Sequence, residues 1–442
     1  MRSTAPDSPL PSTSTGRLRP PNSARPAWAA VAALSLSLMM LQGCAQAQNP
    51  EQTVVQAAAG LAPAGSSPRP LGSILGEAPA PAVSIRPAPT RETPAQSRAP
   101  SGAHLSASSQ ANPLPDRALP ERGSQPTGHY GSRQDVLDWL QDAIASNPGL
   151  APQRDAILAA LDEANYSATA ARLMIPAPKG SRQRDWQAYQ RRIVDPVRIR
   201  SGQRFMAENA QWLRRAQQQY GVEPAIVASI IGVETLYGRI TGNFRVLDAL
   251  TTLAFDFPDG RSDRRPFFRN ELVAFFVWTL RENTPPDSVL GSYAGAIGLG
   301  QFMPSSILRD AVDFDGDGHI DLRGSVADAI GSVAHYFKNR GWTPGEPPTF
   351  DVTPPDDPQA LATLLAPDIV PTFSAADLQR LGATLEPAAQ AWPGKLALVE
   401  LPNADRPSSY VAGTPNFYAI TRYNNSSFYA QSVVDLAHEL GL

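Results

Sequence analysis

A single glutamate in an apolar run is the residue best placed to do acid–base chemistry. Glu234 lies in Ala225-Ile-Val-Ala-Ser-Ile-Ile-Gly-Val-Glu-Thr-Leu-Tyr-Gly-Arg239. Residues three or four apart share one face of a helix, so Ile226, Ile230, Glu234 and Tyr237 form a stripe expected to face the core. Pro224 suits the first turn of that helix and Gly238 its C-terminal end. A carboxyl in apolar surroundings resists ionisation, so its pKa rises and it carries a proton near neutrality. That is the property a general acid needs. The structural alternative is a glutamate at the mouth of the core, ion-paired with an arginine such as Arg239.

A second group of residues has the small side chains that let a ligand or another backbone approach closely. Gly291-Ser-Tyr-Ala-Gly-Ala-Ile-Gly-Leu-Gly-Gln-Phe-Met-Pro304 carries two polar residues, Ser292 and Gln301. It is not a dinucleotide loop: Gly298-Leu-Gly300 lacks the third glycine and no strand clearly precedes it. It holds no Lys-Ser/Thr pair for a phosphate loop either. Gln301 offers both a donor and an acceptor to a sugar amide or hydroxyl. Tight packing of helices is the alternative use of such glycines.

The third group is Asp313-Phe-Asp-Gly-Asp-Gly-His-Ile-Asp321, which matches the first half of an EF-hand loop. Acidic residues stand at loop positions 1, 3, 5 and 9, and Gly318 stands at position 6. Such closely spaced carboxylates repel unless a cation or solvent separates them. Calcium in a structural role is therefore expected, with Asp313, Asp315 and Asp317 as ligands and His319 giving its backbone carbonyl. Position 12 departs from the pattern, since Gly324 replaces the bidentate glutamate; Asp328 is the nearest carboxylate that could close the shell.

The fourth is Thr421-Arg-Tyr-Asn-Asn-Ser-Ser-Phe-Tyr429. Flat sugar faces pack on aromatic rings while amides read hydroxyl and acetamido groups. Tyr189, Tyr336, Tyr423 and Tyr429 are candidates to line such a groove. Any one of them alone is an ordinary core or surface tyrosine.

These residues need elements to carry them. Short amphipathic helices are expected over 133–175, on the spacing of Val136, Leu137, Trp139 and Leu140, then Ile157, Leu158 and Leu161. Helical patterns follow through Phe205, Trp212 and Ala216 towards Tyr220, over the Glu234 segment, around Leu247–Phe255, over Glu271–Arg281 and over Val326–Arg340. From Pro344 to Pro415, prolines, threonines and short apolar runs (Lys395–Val399, Phe417–Thr421) point to strands and loops with helical turns. Ser427–Leu440 returns to helix. The expected fold is mainly α (α+β), a helical core over about 184–342 with a small β-containing part over about 345–420 and a C-terminal helix over about 427–440.

The first residues say where the chain goes. Arg17, Arg19 and Arg25 precede an apolar run from Ala27 to Leu41. That run is short for a membrane span of about 20 residues, and its basic flank fits a signal peptide. Leu41-Gln-Gly-Cys44 resembles the lipobox of bacterial lipoproteins, and Cys44 is the only cysteine in the chain. Residues 1–43 are thus expected to be a lipoprotein signal peptide, with lipidation at Cys44. Ala45, which is not acidic, favours sorting to the outer membrane by the same resemblance. Residues 44–129 are rich in Pro, Ala and Ser and nearly free of aromatics, so they cannot offset their ordering entropy and form a disordered tether. Residues 130–442 suffice for one large domain or two coupled ones. A net charge of −3 gives no reason to expect a nucleic-acid partner.

Taken in order, the motifs resemble the membrane-bound lytic murein transglycosylase B family over about Arg184 to Leu440. The matching stretches are Tyr220-Gly-Val-Glu-Pro224, Ile230-Ile-Gly-Val-Glu-Thr235, Ala294-Gly-Ala-Ile-Gly-Leu-Gly-Gln-Phe-Met-Pro-Ser-Ser306, Val312-Asp-Phe-Asp-Gly-Asp-Gly-His-Ile320 and Ala419-Ile-Thr-Arg-Tyr-Asn424. The resemblance implies a lysozyme-like helical core, cleavage of peptidoglycan glycan strands, and Glu234 as the single acid and then base. It implies that Tyr189, Arg264, Ser292, Gln301, Tyr336, Tyr423, Asn424 and Tyr429 contact substrate. It places calcium on Asp313, Asp315, Asp317, His319 and Asp328, with no organic cofactor. It also implies a periplasmic protein held to the inner leaflet of the outer membrane, with cell-wall enzyme complexes as further partners. A hydrolytic muramidase on the same fold, a catalytically silent peptidoglycan-binding lipoprotein and a calcium-dependent structural or adhesion protein are the competing functions.

Overall fold

Residues 129–175, 183–259 and 262–442 are described by a computed structural model. Cys44, the apolar run before it and the tether expected to follow lie outside the described residues. Three helices lead in: α1 (Gln134–Ser146), α2 (Arg154–Asp162) and α3 (Ala168–Met174). The core then runs through α4 (Trp186–Ile193), α5 (Pro196–Glu208), α6 (Ala210–Tyr220), α7 (Pro224–Thr235), α8 (Val246–Phe255), α9 (Arg265–Arg281), α10 (Pro304–Asp310) and α11 (Val326–Lys338). Two short strands, β1 (Phe244–Arg245) and β2 (Leu290–Gly291), pair antiparallel within it.

A smaller unit follows. It contains β3 (Thr349–Thr353), α12 (Pro358–Leu365), α13 (Ala375–Arg380), β4 (Thr384–Leu385), α14 (Pro387–Gln390), β5 (Ala397–Asn403) and β6 (Arg406–Gly413). Its antiparallel sheet has the order β4-β3-β6-β5. Phe350, Leu364, Leu378, Leu385 and Leu398 form a core of their own beneath that sheet. The chain then returns to the main core with α15 (Pro415–Tyr423) and α16 (Ser427–Glu439).

Local sequence explains where the helices start. Asp195 accepts the N–H groups of Val197 and Arg198, and Pro196 follows at the first helical position of α5. Thr414 with Pro415 starts α15 in the same way. A capping side chain satisfies donors the helix cannot, and proline loses no bond there. These signals override the strand expected over Phe417–Thr421: its aromatic and β-branched residues sit on a helix whose cap and proline decide the conformation. The pattern through Phe205 to Tyr220 is likewise two helices, broken at Asn209.

The helix carrying Glu234 departs from its expected shape. Every residue from Ala225 to Thr235 is buried, so the apolar stripe is in fact a helix covered on all sides. It packs against α5, α6, α11 and α16. It also ends sooner than expected, because Leu236 and Tyr237 adopt φ of 51° and 58° before Gly238 at 83°. Tyr237 therefore leaves the helical face and folds back over Gly232, where a Cβ would meet its ring at 2.5 Å.

Candidate active site

Glu234 occupies the last turn of α7 and is 6% exposed. The Tyr429 hydroxyl, from α16, donates to its Oε1 at 2.7 Å. Its Oε2 is buried and has no protein partner. Burial pushes the carboxyl up to about 8, and the Tyr429 hydrogen bond opposes that rise. No charged group contributes to the shift, so the carboxyl meets no second carboxylate and no arginine among the described residues. Arg239, the alternative partner, is exposed. The site therefore holds one proton at neutral pH on an acid with one oxygen anchored and one free.

The glycine-rich segment lies directly against this acid. Thr235, next to Glu234, donates its hydroxyl to the Leu299 carbonyl at 2.8 Å, and the Tyr423 hydroxyl donates to the Gly300 carbonyl at 2.5 Å. Gln301 is 9% exposed, and its amide donates to the carbonyls of Gly298 and Thr241 at 2.8 and 3.2 Å. Ser292 Oγ accepts the Ala296 N–H at 3.0 Å. Both side chains thus stabilise the loop's own turns. Gly298, at φ 78°, is required because the Leu322 carbonyl lies where its Cβ would be, at 2.3 Å. Close backbone approach accounts for this glycine.

The aromatic candidates Tyr336 and Tyr423 pack against Phe302 of the same segment. The charge of Glu234 is felt by Tyr189, Tyr423 and Tyr429, and burial raises all three phenols, Tyr189 to about 12. Tyr336 and Tyr423 have ring centroids 4.7 Å apart. Tyr336 donates its hydroxyl to the Arg422 carbonyl. Asn424 is 5% exposed and its Oδ1 has no protein partner. Tyr189 instead packs among Trp186 and Phe428.

Beneath Tyr336 lies a pair that sequence inspection missed. Arg340 stacks on the Tyr336 ring at 3.4 Å and binds the fully buried Asp310 carboxylate through two nitrogens, at 2.8 and 2.9 Å. Tyr336 lies in α11 and Arg340 just past its end, and their i, i+4 spacing was a usable signal. Asp310 gave none, being thirty positions from Arg340.

Arg264 stands at the N-cap position of α9, where its side chain makes no capping bond. Its guanidinium lies 4.6 Å from the Phe267 ring, and Nη1 is buried without a partner. It faces the charge of Glu271, whose carboxylate holds Ser305 through its N–H at 2.9 Å and its hydroxyl at 2.7 Å.

In the acidic loop, Asp313, Asp315 and Asp317 present carboxylate oxygens all within 4.8 Å of one another. Backbone N–H groups of Gly318, Gly316 and Asp317 hold the Asp313 carboxyl below its usual range. Asp328 stands apart from the trio. It is 1% exposed, and its oxygens accept the N–H groups of Phe314 at 2.7 Å and Asp321 at 2.8 Å. The His319 ring lies 3.8 Å from Glu282. The loop reaches the acid only indirectly, since the Leu322 carbonyl accepts the Leu299 N–H at 2.8 Å.

The mainly helical core agrees with what known proteins show. The Transglycosylase SLT domain family matches residues 134–438. The chain belongs to this transglycosylase family, and its helical core is lysozyme-like. It is 38% identical over 297 residues to the membrane-bound lytic murein transglycosylase B of Escherichia coli strain K12, covering 66% of this chain and 76% of the relative. The soluble lytic transglycosylase SltB1 of Pseudomonas aeruginosa is a structural match with 38% identity and a TM-score of 0.62. That match covers 69% of this chain and 98% of the other. The Escherichia coli lytic transglycosylase Slt35, solved in complex with calcium, gives 34% identity and a TM-score of 0.61 over 71% and 95% of the two chains.

Proposed function

We infer that this protein is a lytic transglycosylase that cleaves the MurNAc–GlcNAc β-1,4 bond of peptidoglycan, with Glu234 acting first as acid and then as base. The observation that carries the mechanism is the Glu234 carboxyl, buried, raised to about 8 and free at one oxygen. Protonated, it gives its proton to the bridging oxygen as the bond to C1 breaks, leaving an oxocarbenium or acetamido-stabilised centre. The carboxylate so formed takes the proton of the sugar's C6 hydroxyl, whose oxygen bonds to C1. A 1,6-anhydromuramic end results, the glutamic acid is regenerated, and no water is consumed. Paired-carboxylate glycosidases need a second group about 5–9.5 Å away to act as nucleophile or to activate water. One residue suffices here, in keeping with the lack of any charged influence on Glu234 among the described residues.

Tyr189, Ser292, Gln301, Tyr336, Tyr423, Asn424 and Tyr429 form the walls of the groove in this reading. The unsatisfied Oδ1 of Asn424 suits a sugar amide or hydroxyl, and the unsatisfied Nη1 of Arg264 suits a carboxylate farther along the strand. Mass spectrometry of muropeptides released from purified peptidoglycan tests the reaction. Anhydromuramyl ends, lighter by one water and resistant to borohydride, are expected. Reducing ends would make the protein a hydrolytic muramidase, and no release would make it a binding protein.

Calcium belongs in the acidic loop. The three converging carboxylates give an all-oxygen donor set, which suits a hard cation of flexible coordination. Asp313, Asp315 and Asp317 would hold it, and its charge would relieve their repulsion. Asp328, bound to backbone N–H groups, acts as the clamp that closes the loop. At calcium about 100-fold above its dissociation constant, the folded state gains roughly 2.7 kcal/mol. Calcium should therefore raise the melting temperature, and Asp313→Ala should remove the rise; identical melting curves with calcium and with chelator would exclude the site.

The membrane anchor is placed on Cys44. No helix among the described residues is long and apolar enough to cross a membrane. Lipidation at Cys44, with residues 44–129 as tether, holds the enzyme to the outer membrane on the periplasmic side. Cys44→Ala should shift the protein from the membrane to the soluble fraction of lysed cells, and continued sedimentation with membranes would point to another anchor.

A further inference from the structure

We propose that Thr235 is a positioning residue of this active site: its hydroxyl pins the left-handed turn behind Glu234 and fastens it to the glycine-rich loop. The proposal rests on Glu234 being the acid. Leu236 and Tyr237 both hold positive φ, a conformation that L side chains disfavour and keep only where the surroundings over-determine it. Thr235 supplies a link at each end of this strained turn. Its Oγ1 accepts the Gly238 N–H at 3.0 Å and donates to the Leu299 carbonyl at 2.8 Å, with the Ile231 carbonyl at 3.1 Å as the alternative acceptor.

Thr235 is 1% exposed, so solvent is poorly placed to take over either bond. The turn is otherwise held by Tyr237, packed where Gly232 has no side chain, and by the Ile240 N–H bonded to the Thr235 carbonyl at 3.0 Å. The hydroxyl bonds the turn directly to the loop, and a second link, from Gln301 to the Thr241 carbonyl, lies just beyond the turn. Leu299 precedes Gly300, which Tyr423 holds, and Gln301, which bonds the Gly298 and Thr241 carbonyls. The Thr235–Leu299 bond therefore sets the spacing between the acid and the wall that seats the sugar. Misplacement of a reacting group by about 1 Å can cost roughly 100-fold in rate.

The test compares the full-length wild type with Thr235→Val, which keeps the shape and loses the hydroxyl, and Thr235→Ser, which restores it. Release of muropeptides is followed as kcat and KM across pH 5 to 10, below the melting temperature of each variant. Thr235→Val should lose about 10- to 100-fold in kcat with KM within about threefold. Its alkaline limb should move to lower pH as water reaches the loosened acid. Thr235→Ser should recover most of the kcat. Wild-type kcat and limb in Thr235→Val would overturn the assignment, as would a loss that serine fails to restore. Thr235→Ala replaces valine if that variant does not fold, with the same outcomes. Anhydro products from the wild type keep the two claims apart: without them the function falls, and with them only the role of Thr235 is at stake.

Discussion

Glu234→Gln is expected to abolish release of anhydromuramyl products while leaving glycan binding intact. Loss of a general acid costs about 10²–10⁴-fold. Here the same residue also serves as base, so the upper end of that range is expected. In the wild type the rate should stay level at neutral pH and fall as pH rises through about 8, because the acid must carry its proton. The same substitution makes a second, independent statement about stability. The folded-state pKa of Glu234 is raised, so its protonated form stabilises the fold fully below its ordinary value of 4.5, and that contribution is lost as pH rises through about 8. Glutamine has no proton to lose. The variant should match the wild type in urea unfolding at pH 4 and exceed it at pH 9 by about 2–5 kcal/mol. Near-wild-type lysis would remove Glu234 from the mechanism, and equal stability at pH 9 would remove burial as the cause of its raised pKa.

Asp310→Ala should be among the most damaging substitutions away from the acid. The carboxylate is fully buried and accepts from Arg340, Arg309 and Asn339. Removing it leaves the Arg340 guanidinium, 16% exposed, with only the Tyr336 carbonyl and ring among the partners described for it. Breaking a buried pair from one side costs about 3–5 kcal/mol, because the surviving charge is uncompensated. Replacing both partners with apolar residues of similar volume should return much of that loss. Chemical denaturation of Asp310→Ala, Arg340→Met and the double variant measures both effects. A loss below about 1 kcal/mol for Asp310→Ala would show that the pair behaves like one in solvent. The injury should also reach the groove, since Arg340 supports Tyr336 and Tyr336 packs on Tyr423.

How much of this was legible in the sequence depended on how local the determinant was. Glu234, the glycine-rich segment and the acidic loop were each visible as short motifs whose spacing carries the chemistry. The helical periods of α9, α11 and α16 were equally plain. The helix of α15 is less plain: Thr414 and Pro415 announce it, but the β-branched and aromatic residues after them favour a strand. Burial of α7 on every side is legible in its apolar run, but which helix covers Glu234 is not, since α16 lies far along the chain. Tyr429 is recognisable as a groove residue, but its bond to the acid spans 195 positions and has no local trace. Gln301 and Ser292 were read as ligand groups, and the structure gives each of them bonds within its own loop as well. Asp310 and Thr235 passed unremarked because an isolated aspartate or threonine says nothing until its partners are in place.

The position of Tyr429 bears on the order in which the enzyme is built. The acid and the tyrosine that anchors it are 195 positions apart, so the helix that covers Glu234 is synthesised long after it. Until α16 docks, Glu234 lacks both the phenol that anchors one oxygen and the apolar wall that keeps its proton on. Closing so long a loop is among the slowest steps in folding a domain of mixed topology. Proton affinity at the acid therefore depends on the docking of α16, and a chain cut short before Ser427 carries every residue of the glutamate motif without the environment that arms it.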